Sequence, residues 1–227
     1  MMNELLVAIN GPMGVGKSTV AVGLEKQHQF HIISIGTQIK KVSTLLIDDT
    51  KQLQTYLQKV LGDKEEGTRI AFLLTDLFTD HFAHAHWEKE SNGSYNKNEF
   101  YRKLTQEVAT LMRQEYGEDI WVRFIASDAM DLANEGKHVV CDDLRVPSEK
   151  RIFEQFGFTI IRLDISKEEQ ERRLKKIYGH IPTELLNHPT EIALNDATFD
   201  YRFLVDGLSE EQVQQKVYDY LNLTQTQ

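Results

Sequence analysis

The sequence of 227 residues predicts an α/β fold, a three-layer sandwich built on a mostly parallel sheet of about five strands. Two features point there. Short, mostly apolar runs with too few polar positions for a half-exposed sheet alternate with longer segments of helical composition. The first run, Leu5-Leu6-Val7-Ala8-Ile9, leads directly into a glycine-rich loop, Gly11 to Thr19 (GPMGVGKST), and a helix-compatible stretch follows at once. Strand, glycine loop and helix in that order place backbone N–H groups and a helix N-terminus where they can receive an anion.

The elements follow in order. Leu5 to Asn10 reads as the first strand and Lys17 to Gln27 as the first helix. Phe30 to Ile35 (FHIISI) reads as the second strand, closed by Gly36-Thr37 before a helix from Gln38 to Ile47. From Asp48 to Gln114 the composition is polar and helical, with apolar spacing in Leu53, Leu57, Val60 and Leu61 and again from Ile70 to Phe82; residues 48–116 are expected to be a helical insertion. Within it, Glu90 to Asn98 (ESNGSYNKN) carries dense turn signals and predicts an exposed loop. Phe100 to Glu115 predicts a helix that packs through Phe100, Leu104, Val108 and Leu111. Asp119 to Asn134 predicts another helix, ended by Gly136, and Lys137 to Cys141 the next strand. The polar turn Asp142-Asp143-Leu144-Arg145 leads to a helix at Ser148 to Phe156, a strand at Phe158 to Leu163 and a basic helix at Glu168 to Ile177. A short strand at Phe203 to Val205 and a helix at Ser209 to Leu221 complete the pattern. With no repeat, low-complexity tract or long linker, the expectation is one domain over residues 1–227, with a lid at about 167–190.

Bulk properties narrow the chemistry. A net charge of −9 argues against a broad nucleic-acid-binding face. No apolar run approaches the roughly 20 residues that cross a bilayer, and no basic and apolar leader precedes the glycine loop, so a soluble, unprocessed, cytoplasmic protein is expected. The one cysteine, Cys141, excludes an intramolecular disulfide and, set in an apolar run, predicts a buried core thiol. Oligomeric state is not legible: the apolar residues of the insertion suit a core or a homodimer interface equally.

The glycine loop is a complete match to GxxxxGK[ST] and predicts binding of a nucleoside triphosphate. Gly11, Gly14 and Gly16 let the backbone curl, so that the loop from Gly11 through Met13, Gly14, Val15, Gly16, Lys17 and Ser18 to Thr19 becomes the expected ATP site. Lys17 would reach the β and γ phosphates, and the Ser18 hydroxyl would hold Mg²⁺. Asp142 and Asp143 follow a strand, where such a sheet presents an acid to the metal and its waters, and either could serve. Arg145 offers a planar fork to a phosphate.

On the Phe100 to Glu115 helix, about 100° per residue brings Arg102, Gln106 and Arg113 onto one polar face, which suits a small-molecule acceptor carrying a phosphate as well as it suits plain solvation. Lys40, with Thr37 and Gln38, opens a helix that could grip the same acceptor. Arg172, Arg173, Lys175 and Lys176 lead into Tyr178-Gly179-His180, a basic helix and glycine hinge suited to a closing lid. His81, His84 and His86 make no metal set: two residues apart on a helix, side chains diverge by about 200°.

Strand plus GPMGVGKST, then RKLTQEVATLMRQEYGEDIWVRF, HVVCDDLRVPSE and HPTE, taken in order, resemble the deoxynucleoside monophosphate kinases of bacteriophages, a branch of the P-loop nucleoside monophosphate kinase group. The animal type of phosphomevalonate kinase shares much of this pattern. The resemblance covers about half of the chain, and only the phosphate loop is specific by itself. Arg102, Gln106 and Trp121 match an RxxxQ helix followed by a tryptophan, Asp143 and Arg145 match a DxR turn, and Glu191 matches an HxxE-like element after the lid. The resemblance implies a P-loop kinase fold with an acceptor-binding helical insertion and a short lid. It implies ATP- and Mg²⁺-dependent phosphoryl transfer to a nucleoside or deoxynucleoside monophosphate. Lys17, Arg145, Arg172 and Arg173 would then be catalytic; Lys40, Arg102, Gln106, Arg113, Asp143 and Arg145 would bind the acceptor; Ser18 with Asp142 or Asp143 would hold the metal. Two departures stand out. Residues Thr50 to Asn98 carry no family motif, and Asp206 stands where this kind of kinase often frames adenine with an asparagine. The alternatives are a kinase for phosphomevalonate or dephospho-coenzyme A on the same frame, and a nucleotide-dependent switch without an enzymatic role.

Overall fold

In the computed structural model, which describes residues 4–82, 85, 87–91, 95, 99–181, 191 and 193–223, the strand before the glycine loop is β1, Leu6–Asn10, buried at every position. A strand covered on both faces has no reason to alternate, hence its apolar run. β1 pairs in parallel with β3 (Val139–Cys141) on one side and β4 (Thr159–Asp164) on the other, Ala8 lying opposite both Cys141 and Ile160. β2 (His31–Ile33) and β5 (Tyr201–Leu204) form the edges, giving the order β2-β3-β1-β4-β5 with every pair parallel. Parallel neighbours need long crossovers, and helices supply them. The expected α/β fold with a five-stranded sheet is therefore present.

The chain divides into two compact units, Met1–Ser34 with Asp128–Gln227, and Ile35–Ser127. The first holds the sheet. Its helices include α1 (Lys17–His28), while α2 (Ile35–Asp48), α3 (Thr50–Leu61), α4 (Lys64–Phe82) and α5 (Glu99–Tyr116) belong to the second. α6 (Ile120–Asn134) gives its first eight residues to the helical unit and the rest to the sheet unit. α7 (Pro147–Gln155), α8 (Lys167–Tyr178) and α9 (Glu210–Tyr220) complete the sheet unit among the described residues. One apolar cluster joins Val7 and Ile9 of β1, Val140, Ile161 and Leu163 to Val20 and Leu24 of α1 and Val213, Val217 and Tyr218 of α9. Cys141 is fully buried, and burial pushes its thiol pKa far above the ordinary range.

The helical unit has its own core, centred on Leu53, Leu57, Ile70, Leu74, Leu104, Val108, Trp121 and Phe124. Trp121 is buried there and donates its indole N–H to the Ala109 carbonyl at 3.4 Å. α3 is capped by Asp49, whose Oδ1 accepts from the N–H groups of Lys51 and Gln52 at 3.0 Å each. α3 and α4 form a hairpin whose tight crossing explains a glycine inside a helix. A Cβ on Gly67 would lie 2.4 Å from the backbone N and Cα of Gln58.

Several boundaries and faces differ from expectation. β2 stops at Ile33, opposite Cys141 where β3 itself stops, so Ser34 and Ile35 have no strand to pair with, and Ile35 opens α2 instead. β5 begins at Tyr201 and ends at Leu204; Val205 lies past it, although its N–H still donates to the Asp164 carbonyl at 2.9 Å. α5 is rotated from the expected face: Tyr101, Leu104, Val108, Ala109 and Met112 are buried, whereas Phe100 is 44% exposed. Tyr101 wins the inward position by stacking on Tyr95 at a ring distance of 5.7 Å. Tyr95, expected in an exposed loop, is buried, and its hydroxyl donates to Asp48 Oδ1 at 2.5 Å. His84, His86 and residues 182–190 of the expected lid lie outside the described residues.

The Gly67 crossing predicts that Gly67→Ala forces α3 and α4 apart and costs about 1–3 kcal/mol, the usual range for overpacking. Urea unfolding of the variant measures this; unchanged stability would show that the crossing does not need a glycine.

Candidate phosphate-binding site

β1 has β3 on one side and β4 on the other, so crossovers diverge from its carboxyl end and leave a crevice there. The chain enters it through Gly11, with φ +152°, where a Cβ would lie 2.5 Å from the Leu163 carbonyl oxygen and 2.9 Å from Val15 Cγ1. Gly14 and Gly16 also hold positive φ, +79° and +108°. Gly16 is the N-cap of α1 and brings no capping side chain, so the amides that open this helix depend on an external acceptor.

Side chains converge on this loop from four elements. Lys17 folds back along it, Nζ donating to the carbonyls of Gly11 at 2.6 Å and Pro12 at 3.2 Å. Burial lowers the Lys17 pKa, and the nearby Glu191 carboxylate opposes that shift. Ser18 Oγ donates to Asp142 Oδ2 at 2.6 Å. Arg145 Nε donates to Asp143 Oδ1 at 2.5 Å, and its Nη1 to Glu191 Oε1 at 3.1 Å. The second Glu191 oxygen accepts the Met13 N–H at 2.7 Å.

The turn carrying the two aspartates is itself anchored. Asn10 Nδ2 donates to the Leu144 carbonyl at 2.7 Å, tying the end of β1 to it. Glu149 of α7 accepts the N–H groups of Arg145 and Val146 at 2.8 and 3.1 Å, and Pro147 opens α7 with no N–H to satisfy. Burial raises the Glu149 pKa against the pull of those two bonds.

α8 supports the loop from another side. Gln170 Nε2 donates to the Met13 carbonyl at 2.8 Å, Arg173 Nη1 to the Val15 carbonyl at 3.2 Å, and buried Leu174 sits where a Cβ on Gly14 would be 3.1 Å away. Arg172 and Arg173 both bind Glu169, whose carboxyl is held down to about 2 by bonds first from Arg172 and then from Arg173. Asp206 Oδ1 accepts the N–H of Ser166, the α8 N-cap, at 2.9 Å and so fastens the start of that helix.

The result is a cleft of about 1230 Å³. Met13, Gly14, Val15, Gly16, Lys17, Ser18, Thr19, Asp142, Asp143, Arg145, Arg172 and Arg173, each expected from the sequence, all line it; Gly11 acts beneath them through its backbone. Lys40, Arg102, Gln106 and Arg113 belong to the helical unit. The first three are exposed, and Arg113 lies 3.5 Å from Glu118. Sequence reasoning missed the anchoring roles of Glu149 and Gln170 and the place of Glu191. Pro147 followed by Glu149 is a helix-start signal that could have found the first; the HPTE element singles out Glu191 without placing it at the loop, and nothing local marks Gln170.

Chemically, the cleft offers five cations, Lys17, Arg145, Arg172, Arg173 and Lys176, and a set of curled amides to an anion. Ser18 and Asp142 supply hard oxygen donors side by side, which fits Mg²⁺. Among the described residues no group of three His, Cys, Asp or Glu could hold a metal, so that ion would rely on waters and ligand oxygens, as Mg²⁺ does. No helix among the described residues is long and apolar enough to cross a membrane.

No protein-family model matches the chain, and no curated protein matches it. Among solved structures it is similar to a sugar kinase from Janibacter sp. HTCC2649, with a TM-score of 0.51 and 14% identity over 97% of this chain and 96% of that one. It is likewise similar to a tunicamycin resistance protein from Deinococcus radiodurans, with a TM-score of 0.52 and 14% identity over 99% of both chains. At that identity the likeness shows a shared α/β fold over nearly the whole chain, and activity has to be argued from the site.

Proposed function

We propose that this chain is a Mg²⁺- and ATP-dependent kinase that transfers the γ-phosphoryl group to a nucleoside or deoxynucleoside monophosphate, giving the diphosphate. What supports this is the convergence of Lys17, the Ser18–Asp142 pair and the Arg145 fork on one curled loop. Phosphoryl transfer needs little covalent chemistry from the protein, because positioning and charge neutralisation carry it. Those are what this set of residues offers.

The loop amides and the N-terminus of α1 receive the β phosphate. Lys17 leaves two neutral carbonyls for the β and γ oxygens, exchanging weaker bonds for charge-assisted ones. Ser18 and Asp142 would hold the metal, while Asp143 serves Arg145. The bound Mg²⁺ would neutralise charge on the phosphate oxygens. Arg145, aimed by Asp143 and by Glu149 through its backbone, presents its fork to the transferring group, and Arg172 and Arg173 add cations from α8. The acceptor oxygen is already ionised near neutral pH, so no strong base is required. Acceptor selection is assigned to Lys40, Arg102, Gln106 and Arg113 of the helical unit, on the strength of the sequence resemblance.

The test is ADP formation from Mg-ATP with each common ribo- and deoxyribonucleoside monophosphate, with phosphomevalonate and dephospho-coenzyme A as further acceptors. At least one monophosphate should stimulate turnover, and Lys17→Ala should lower it at least about a hundredfold, the scale of losing one main transition-state donor. Silence from every monophosphate would sink the acceptor class. Arg102→Ala should raise the acceptor KM about tenfold or more, the scale of one charge-assisted bond, with ATP affinity unchanged. An unchanged KM would remove Arg102 from the acceptor site.

A further inference from the structure

Glu191 sits in the phosphate loop much as a bound anion would. One carboxylate oxygen takes the Met13 N–H at 2.7 Å, the other takes Arg145 Nη1 at 3.1 Å, and the side chain is 11% exposed. It reaches the loop from a residue 178 positions away in sequence. These two donors, with Lys17 close by, are groups that a terminal phosphate would claim.

The loop does not need Glu191 for its shape. Gly11 is pressed against Leu163, Leu174 fills the space beside Gly14, and Gln170 and Arg173 hold the carbonyls of Met13 and Val15. Arg145 keeps Asp143 through Nε, and its backbone keeps Glu149. Glu191 is thus an occupant of a site that other residues build.

We propose that Glu191 is an internal stand-in for a phosphoryl group, and that its carboxylate must leave the Met13 N–H and the Arg145 guanidinium before the terminal phosphate of a nucleotide is seated. The inference rests on the reading of the loop as a triphosphate site. Two anions cannot share one amide and one guanidinium edge, so the carboxylate competes directly with the ligand and lowers its apparent affinity. Its departure also releases Arg145 Nη1 while Nε stays on Asp143, which couples nucleotide entry to the readiness of the arginine fork.

The test is calorimetric titration of the full chain and of its Glu191→Gln and Glu191→Ala variants, with Mg-ATP and with inorganic tripolyphosphate as a probe of the loop alone. Both variants are expected to bind both probes about tenfold tighter, the scale of removing one charged competitor. Glu191→Gln keeps the size of the side chain without its charge, so tightening there isolates the electrostatic competition. Equal or weaker binding by Glu191→Gln, with the natural chain still binding ATP, overturns the stand-in and leaves the triphosphate site intact. Absence of binding by all three proteins overturns both.

Discussion

The chain leaves β1 so close to β4 that a Cβ at Gly11 would lie 2.5 Å from the carbonyl oxygen of Leu163, and the rest of the site follows from that passage. Only a glycine passes there, and the positive φ values at Gly14 and Gly16 continue the curl into the first turn of α1. The curl leaves the carbonyls of Gly11 and Pro12 within reach of Lys17, those of Met13 and Val15 within reach of α8, and the amides opening α1 without a side-chain cap. Carbonyls are therefore satisfied from within the protein, while the amides opening α1 keep no side-chain partner and the Met13 N–H is met only by the Glu191 carboxylate. That asymmetry, rather than positive charge alone, suits the loop to an anion.

The charged groups around the loop are already engaged with one another. Arg145 has Asp143 and Glu191, and Arg172 and Arg173 share Glu169. Binding of an anion there would be an exchange of partners more than an addition of bonds, with a correspondingly modest net gain. Asp142 and Asp143 would repel a bare polyphosphate, which gives the Ser18–Asp142 pair a reason to require a cation. Lys17, whose ammonium is disfavoured by burial, would gain most from such an exchange, since its present bonds are to neutral carbonyls.

Legibility in the sequence followed how local each constraint is. GPMGVGKST was readable because the backbone geometry, the lysine and the hydroxyl all fall within nine residues, and the central strands because burial on both faces removes alternation. Asp142, Asp143 and Arg145 could be placed at the site by their position after a buried strand, but not told apart: Ser18 lies 124 positions from Asp142. Glu191 was unreadable as a loop partner for the same reason. In the helical unit, Phe100 and Tyr101 both border the apolar arc of α5, and it takes tertiary contacts such as the stacking of Tyr101 on Tyr95 to decide which turns inward. Gly67 looks like a flaw in a helix until Gln58 is seen against it.

The two adjacent arginines of α8 show how helix geometry divides roles within one motif. Successive residues are turned by about 100°, so Arg172 and Arg173, though both line the cleft, meet the loop differently. The Arg173 side chain is 21% exposed and bonded to the Val15 carbonyl, whereas Arg172 is 68% exposed and bound only in the Glu169 pair among the described contacts. An exposed ion pair of that kind contributes little and yields easily to a stronger anion. Moving Arg173 would instead disturb the loop through the Val15 carbonyl. Of the two, Arg172 is the cation free to change partners, and Arg173 is the one that holds the loop in shape.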